Sequence, residues 1–211
     1  MKIIDITPLL TIASPVYPGD APLSLEFFQS EKLCVGTFTM SAHLGAHVDA
    51  PKHLNRAGDV STIAPERLIG PCQVIEITTS GEITADQLAN VHSSRVLIKT
   101  GFKMPTQWTD SFAYLSAEAI CHLLDQGVTL IGIDTPSIDC AGDEKLASHV
   151  LAIDGGAIIL ENLELSAVRA GDYELIALPL KIKGLEASPV RAVLIEKKGE
   201  LKWGKFLRKA A

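Results

Sequence analysis

The sequence SAHLGAHVDAPKHLN, residues 41–55, decides how this chain is interpreted, because it gathers four potential metal ligands. These are His43, His47, Asp49 and His53, and all of them stand at odd positions. In an extended strand, residues i and i+2 point to the same face, so one short segment can direct all four side chains into one cavity. Imidazole and carboxylate groups are common ligands of divalent metals. The pattern therefore predicts a metal site.

This segment has to bend between His43 and His47 if both are to reach one ion. Four residues of straight strand span roughly 13 Å, which is near the limit for two histidines sharing a metal. Gly45 lies between them and can adopt backbone angles that are closed to other residues. A helical i, i+4 pair is the alternative, but Pro51 disfavours helical geometry at Ala50 and Gly45 weakens a helix. We expect a bent strand followed by a loop.

Composition limits the class of protein. The 211 residues are 47% hydrophobic, which fits one large domain as well as two small ones, and the absence of a repeat or linker favours a single domain over residues 1–211. A formal net charge of -6 disfavours nucleic acid as a partner. The basic tail, residues 202–209, is expected to be a solvated terminus. No apolar run reaches the roughly 18 residues of a membrane span, and no membrane contact is expected. Four widely separated cysteines without a C-x-x-C pair indicate reduced, mostly buried thiols. Together with a beginning unlike a signal peptide, they indicate a cytoplasmic protein.

Apolar runs between turn residues predict a fold of the α/β class, with one mixed sheet and flanking helices in a single domain. In the strand predicted at 35–42, Phe38 and Met40 are expected to face the apolar core, opposite His43. His122 and His92 are expected to be structural, and His149 is placed on the third helix. Strands are predicted at residues 2–10, 23–28, 35–42, 72–78, 96–100, 129–134, 157–160, 175–182 and 190–197, and helices at 84–91, 116–126 and 143–151.

Five motifs in order resemble the metal-dependent cyclase family, which includes bacterial kynurenine formamidases and isatin hydrolases. Residues 43–53, HLGAHVDAPKH, match all but one fixed position of that family's H-x-G-T-H-x-D-x-P-x-H signature. The other four are YPGD at 17–20, GIDTPS at 132–137, His149 with Glu161 twelve residues later, and PVRA at 189–192. The resemblance covers almost the whole chain and implies the swivelling β/β/α fold of the cyclase family.

The resemblance also implies a site with two divalent metal ions. By that likeness His43 and His47 hold the first ion, His149 holds the second, and Asp49 and Glu161 bridge both. The metal implied by the formamidases is zinc. A site of histidines and carboxylates without thiolate also suits manganese, and a resemblance to the isatin hydrolases would favour that metal.

Three further positions take their meaning from the resemblance. His53 corresponds to the residue that transfers a proton rather than to a metal ligand. Tyr17 stands at the substrate pocket, where the formamidases carry Trp. Ala46 departs from the family's Thr, so a hydrogen bond from that hydroxyl to the ligand shell is missing. Losses of this kind cost roughly 10–100-fold in metal affinity or activity.

The implied activity is that of an arylformamidase, a metal-dependent amidohydrolase acting on C–N bonds other than peptide bonds. Its substrate would be an aryl formamide, foremost N-formyl-L-kynurenine, which hydroxide from a metal-activated water would split into L-kynurenine and formate. Hydrolysis of a cyclic amide or lactone such as isatin is the alternative. A metal-binding protein without turnover is the third hypothesis. The resemblance also implies a homo-oligomer, a dimer or tetramer, with the segment around Trp108 either a flap over the site or a subunit contact.

Overall fold

The structure, a computed structural model, describes residues 1–196. The predictions for the tail at 202–209 and for residue 197 of the last strand lie outside the described residues. The strands are β1 Lys2–Asp5, β2 Ser24–Gln29, β3 Cys34–Thr39, β4 His47–Asp49, β5 Ile69–Glu76, β6 Glu82–Ile83, β7 Arg95–Lys99, β8 Tyr114–Leu115, β9 Leu130–Ile133, β10 Ile158–Glu161, β11 Gly171–Pro179 and β12 Ala187–Glu196. The helices are α1 Pro65–Leu68, α2 Ala117–Asp125 and α3 Ala147–Asp154, with 3-10 turns at Pro51–Leu54, Val60–Thr62 and Ala85–Leu88.

One eight-stranded mixed sheet organises the described part of the chain. Its strand order is β1-β12-β11-β5-β7-β9-β10-β4, and β4 also pairs with β12, so the sheet closes on itself like a barrel. The pairs β5–β7, β7–β9 and β9–β10 are parallel, and the other pairs are antiparallel. This confirms the predicted mixed α/β sheet. Closure places the short strand β4 between β10 and β12, and both of these strands lie far from β4 in the sequence.

Both faces of this sheet are buried, which explains why its central strands are continuous apolar runs. In β7, Leu97 belongs to one apolar cluster, whereas Val96 and Ile98 belong to a second cluster on the opposite face. That second cluster also contains Ile120 and Leu123 of α2. Helices therefore cover one face, and the alternation of side chains along each strand decides which residues point toward them.

The hairpin formed by β2 and β3 differs from its prediction. The strand predicted over 35–42 ends at Thr39, and every residue of both hairpin strands is exposed. The expectation that Phe38 packs in the core is wrong, because 59% of this residue is exposed. The hairpin strands pair only with each other, so no further layer covers their apolar side chains.

The cysteines are less buried than expected. Cys72 is buried, and burial raises the pKa of its thiol to about 12. Cys34, Cys121 and Cys140 are exposed and free, so the expectation of mostly buried thiols is wrong. The spacing of the cysteines shows that no C-x-x-C pair exists, but it does not show whether each thiol points to the core or to solvent.

Helix positions follow the sequence most closely where a cap is present. α2 begins after Ser116, whose hydroxyl accepts a hydrogen bond from the Ala119 amide, as its cap position predicts. The helix predicted over 84–91 is only a 3-10 turn. The helix predicted from 143 begins at Ala147, because Leu146 adopts a left-handed conformation with φ 48°. Among residues 1–196, no helix combines the length and apolar character that crossing a bilayer requires.

Candidate metal centre and substrate cleft

The predicted bend between His43 and His47 is confirmed. Gly45 has φ 73°, a left-handed angle that favours glycine, and a Cβ added there would lie 2.7 Å from Leu10 Cδ2. The bend brings the rings of His43 and His47 to a centroid separation of 4.8 Å. His53 then follows on a 3-10 turn rather than in the predicted loop, with its ring centroid 4.5 Å from that of His43.

Strand alternation aims the acidic residues at these histidines. Val48 of β4 and Leu160 of β10 both belong to one apolar cluster, so the residues beside them point to the opposite face. β4 and β10 pair antiparallel, with His47 opposite Glu161. Asp49, two residues beyond His47, shares that face. A buried carboxylate from each strand therefore meets the histidines of β4 and α3.

Asp49 is the centre of this cluster. Its Oδ1 lies 3.3 Å from His43 Nδ1 and 3.6 Å from His47 Nε2. Its Oδ2 lies 3.4 Å from His149 Nε2. The one carboxylate thus faces three imidazoles, and His149, a weak candidate from the sequence alone, reaches it from α3.

Glu161 completes the cluster from the end of β10. Its Oε2 lies 3.4 Å from His47 Nε2, and its Oε1 lies 3.3 Å from His149 Nε2. The Ile138 amide donates a 2.7 Å hydrogen bond to Oε1 and fixes the orientation of the carboxylate. All five residues that the family resemblance assigns as ligands are therefore gathered in one place.

Two of the histidines are oriented through their Nδ1 atoms. His47 Nδ1 lies 2.9 Å from the Gly45 carbonyl, and His149 Nδ1 lies 2.6 Å from Asp139 Oδ2. A carbonyl or carboxylate partner calls for a proton on Nδ1, which leaves the lone pair of Nε2 directed at the cluster. Histidines that bind metals characteristically have this arrangement.

Asp139, which the sequence did not single out, holds the cluster in place from outside. Besides His149 Nδ1, its carboxylate accepts hydrogen bonds from the amides of Ser148 at 2.6 Å and His149 at 3.0 Å. It therefore holds both the first turn of α3 and the ring of its histidine. The only available signal was its position two residues beyond the GIDTPS motif.

The charged groups of the cluster act strongly on one another's pKa values. Burial opposes protonation of His47, but Asp49 and Glu161 outweigh burial and raise its pKa to about 9. Burial also opposes protonation of His149, but its acidic neighbours, Glu161 foremost, outweigh burial and raise the pKa of His149 well above the usual value. Burial opposes ionisation of Asp49, yet the neighbouring histidines bring its pKa well below the usual value. The carboxylates therefore stay ionised and favour positive charge where an ion would be held.

The donor atoms fit a divalent metal. Within residues 1–196, His47 Nε2 and both carboxylate oxygens of Asp49 are buried without a hydrogen-bond partner. Unsatisfied buried polar atoms are costly, and a cation held among them would satisfy all three. Ligand atoms of His47, Asp49 and Glu161 lie within 4.8 Å of one another, as do those of His43, Asp49 and His53. Nitrogen and carboxylate oxygen without thiolate is a donor set that zinc and manganese accept.

The cluster opens into a cleft of about 1070 Å³, which His53, His149 and Glu161 help to line. On its wall the rings of Tyr17 and Trp108 meet edge to face, with centroids 5.2 Å apart. Trp108, which the sequence left as a flap or a subunit contact, is thus part of the cleft. His92 and His122 do not line it. They contact Asp172 and the Leu88 carbonyl respectively.

Two further residues lie near the cluster of histidines and carboxylates. Ala46 is buried in the apolar cluster that contains Val48. Its side chain is therefore surrounded by core residues, and His47 and His149 have their Nδ1 partners elsewhere, at the Gly45 carbonyl and at Asp139. Glu186, which the sequence did not single out, lies with Oε1 3.5 Å from His43 Nε2 at the edge of the cleft.

Replacing Asp139 by asparagine tests the support of His149. We expect metal affinity to fall roughly 10–100-fold, because the imidazole loses its charged partner. The measurement is the dissociation constant of Zn²⁺ by competition with a chromogenic chelator. Asp143→Asn is the matched control, since Asp143 caps the same turn through the Lys145 and Ala147 amides and makes no contact with His149. Equal affinity in the two variants would contradict the role of Asp139.

Solved structures share this architecture. A predicted metal-dependent hydrolase from Bacillus stearothermophilus is similar with a TM-score of 0.81 and 28% identity, over 92% of this chain and 97% of that one. Isatin hydrolase A from Labrenzia aggregata has a TM-score of 0.79 over 93% and 94% of the two chains, at 22% identity, and so shows the same fold. Fold and site together place the protein in the class of metal-dependent hydrolases.

The family follows from the sequence matches. The family model named Cyclase matches residues 4–140. A kynurenine formamidase from Bordetella pertussis is 42% identical over 205 residues, covering 92% of this chain and 98% of the relative. The chain belongs to the cyclase family.

Proposed function

We propose that this protein hydrolyses N-formyl-L-kynurenine to L-kynurenine and formate. The observation that carries the proposal is the buried cluster around Asp49, whose oxygens lack hydrogen-bond partners in the described residues and which opens into an aromatic cleft. A relative 42% identical over nearly its whole length is a kynurenine formamidase. The isatin hydrolase is similar at 22% identity, which supports a common fold only. An aryl formamide is therefore the preferred substrate class over a cyclic amide.

The proposal includes two divalent ions, with His43 and His47 holding one and His149 the other. Asp49 and Glu161 lie between these imidazoles and would contact both ions. Divalent ions held by these residues would supply Lewis acidity, which would lower the pKa of a water and polarise the formyl carbonyl. We propose zinc, which the resemblance to the formamidases implies, with manganese as the alternative, because a donor set without thiolate also suits manganese.

His53 is the proposed proton carrier. Its ring centroid lies 4.5 Å from that of His43 and 5.6 Å from that of His149, so it faces the space between the ligand histidines. Burial lowers the pKa of His53, which keeps the imidazole neutral near pH 7. A neutral ring accepts the proton of the attacking water and then delivers it to the aryl nitrogen as the C–N bond breaks. Formate and the free aryl amine leave.

Tyr17 is the proposed substrate-binding residue, together with Trp108. Their edge-to-face contact stiffens both rings, and an aryl group can pack against this pair beside the metal centre. This holds the formyl carbon near His53 while the rest of the substrate remains in the cleft. Packing and orientation of this kind contribute a large part of enzymatic rate enhancement.

An assay of the purified protein, loaded separately with Zn²⁺ and Mn²⁺, tests the function. N-formyl-L-kynurenine, isatin and a simple lactone are offered to both forms, and the release of formate or ring-opened product is followed. We expect kcat/KM for the formamide to exceed that for isatin by at least about 10²-fold, and chelation to abolish both activities. Faster opening of isatin would favour the cyclic-amide alternative. Metal binding without turnover of any substrate would favour a binding protein.

The hairpin of β2 and β3 supports the proposed homodimer. Cross-strand register places Leu25 opposite Phe38 and Phe27 opposite Gly36, on one face of the hairpin. Phe27 is 64% exposed and Phe38 is 59% exposed, so this face is apolar and uncovered in the single chain. Exposed apolar patches of this kind mark protein interfaces, and we propose a second copy of the chain as the occupant.

We expect Phe27→Glu with Phe38→Glu to convert the dimer into a monomer, because two buried charges would oppose association. Light scattering coupled to size-exclusion chromatography gives the mass. Thr37→Glu, opposite Glu26 on the other face of the same hairpin, is the matched control and should remain dimeric. Phe28 and Val35 are also exposed on that other face, so loss of the dimer in the control alone would contradict the proposed face. A monomeric wild-type protein, or a double variant that stays dimeric, would contradict the interface.

Exposed free thiols support the proposed cytoplasmic location. Cys34, Cys121 and Cys140 are accessible and unpaired, and such thiols persist where the compartment is reducing. We further propose that residues 1–211 make one domain with a small-molecule substrate.

A further inference from the structure

The cleft is lined by many carboxylates and one cation. Besides the metal-centre groups, its acidic side chains are Asp20, Asp134, Asp143, Glu144, Glu164 and Glu186. Among the described residues that line it, Lys103 is the only lysine, and arginine is absent. An anionic group that enters the cleft is therefore repelled by most of the wall and attracted at one position.

The ammonium of Lys103 is available to a ligand. Lys103 is exposed and makes no side-chain hydrogen bond or ion pair with any residue in 1–196. Several carboxylates of the cleft are already engaged within the protein. Asp134 accepts hydrogen bonds from Thr100, and Asp20 accepts one from Ser41. Lys103 is thus available to bind a ligand, whereas some carboxylates of the cleft are already hydrogen-bonded within the protein.

Lys103 is also close in sequence to the aromatic residues of the cleft. Its neighbour Phe102 packs edge to face on Phe112 at 6.2 Å, and Phe112 contacts Trp108 at 6.4 Å. Residues 102–112 therefore form one wall that carries both the aromatic surface and the cation. A substrate that rests its ring on Trp108 has its remaining substituents beside this wall.

We propose that Lys103 binds the α-carboxylate of an amino-acid substrate and so selects amino-acid formamides over neutral aryl formamides. The inference rests on the proposed function and adds a specificity residue to it. An amino-acid formamide carries its carboxylate at the end opposite the reacting formyl group. A contact that is equally strong in the bound substrate and in the transition state changes KM and leaves kcat unchanged. A lysine ammonium suits the task because it is a flexible point charge with three donors.

Two substrates and two variants test the selection. N-formyl-L-kynurenine carries the α-carboxylate, and 2'-formamidoacetophenone has the same aryl formamide without the amino-acid group. In Lys103→Met we expect KM for the first to rise about tenfold with kcat within about twofold, and both constants for the second to stay unchanged. Lys103→Arg should restore most of the affinity, because it restores the charge.

Lys145→Met is the matched control. Lys145 is an exposed lysine beside the cleft residues Asp143 and Glu144, but it does not line the cleft. Its loss changes the net charge by the same amount, so an effect of general charge would appear in both variants. We expect unchanged KM values for both substrates.

The outcomes separate this inference from the proposed function. If the wild type hydrolyses both substrates and Lys103→Met changes them equally or not at all, the carboxylate role is wrong while the formamidase activity stands. If the wild type hydrolyses neither, the proposed function fails, and titration calorimetry with L-kynurenine still tests the lysine. In that case about tenfold weaker binding by Lys103→Met, with 2'-aminoacetophenone unaffected, supports the site, and equal binding overturns it.

Discussion

Asp49→Asn should remove the metal and reduce hydrolysis of N-formyl-L-kynurenine on the order of 10³-fold or more, since a metal held by this carboxylate would activate the attacking water. Asp49 has this weight because its two oxygens lie 3.3–3.6 Å from His43, His47 and His149. Asparagine keeps the size of the side chain but loses its negative charge and one acceptor. Its amide group would also present hydrogens to imidazole nitrogens that should face the ion.

Metal content by mass spectrometry of the purified variant measures the effect, alongside kcat/KM. Glu164→Gln is the control for metal content, because Glu164 lines the same cleft, is exposed and lies outside the ligand cluster. Circular dichroism in the presence of a chelator compares the metal-free folds and shows whether the variant has folded. A folded Asp49→Asn protein with full metal content and activity would refute the central role of this carboxylate.

The part of the site that the sequence predicted is the part built by local geometry. His43, His47 and Asp49 lie within seven residues, and a bend at Gly45 is enough to gather them. Alternation along β4 explains why His47 and Asp49 share a face, whereas His43 reaches them from the turn before Gly45. His53 lies on the 3-10 turn that directly follows β4, so its short distance to His43 is also a consequence of sequence spacing.

The rest of the site depends on sheet pairing, which spacing does not determine. Glu161 reaches His47 because β10 pairs with β4 in one register, and a shift by one residue would turn its carboxylate to the apolar cluster. The family resemblance supplied Glu161 and His149 where patterning alone could not. It did not supply Asp139 or Lys103. Asp139 acts through the start of α3, and Lys103 has significance only once the cleft is known to hold no other lysine or arginine among its described residues.

In the hairpin of β2 and β3, the local structure was predicted correctly but the burial of its side chains was not. Its strands were predicted correctly as strands, with bounds within a few residues, but Phe38 was assigned to the core. Alternation identifies an apolar face and does not say what covers it. In a barrel-like sheet most faces are covered within the chain, whereas this hairpin pairs only with itself. The same pattern that elsewhere indicates a core leaves an exposed apolar face here, and the proposed dimer contact rests on that exposure.

His53→Ala should lower kcat for N-formyl-L-kynurenine by roughly 10²–10⁴-fold while the protein keeps its metal, because the variant loses acid–base assistance. Retained metal is the critical readout, since ligand atoms of His53, His43 and Asp49 lie within 4.8 Å of one another and His53 could instead be a ligand. His92→Ala, which removes an exposed histidine outside the cleft, controls for the loss of an imidazole.

The pH profile separates the two roles of His53 further. Burial lowers its pKa from the ordinary value of 6.5, so the neutral form that accepts the proton prevails above that pH. Activity of the wild type should therefore rise with pH along a limb below pH 6.5 and then level off. If His53 carries the proton, the residual activity of His53→Ala lacks this limb and its metal content is unchanged. If His53 is a ligand, metal content falls together with activity, and added Zn²⁺ restores part of the rate.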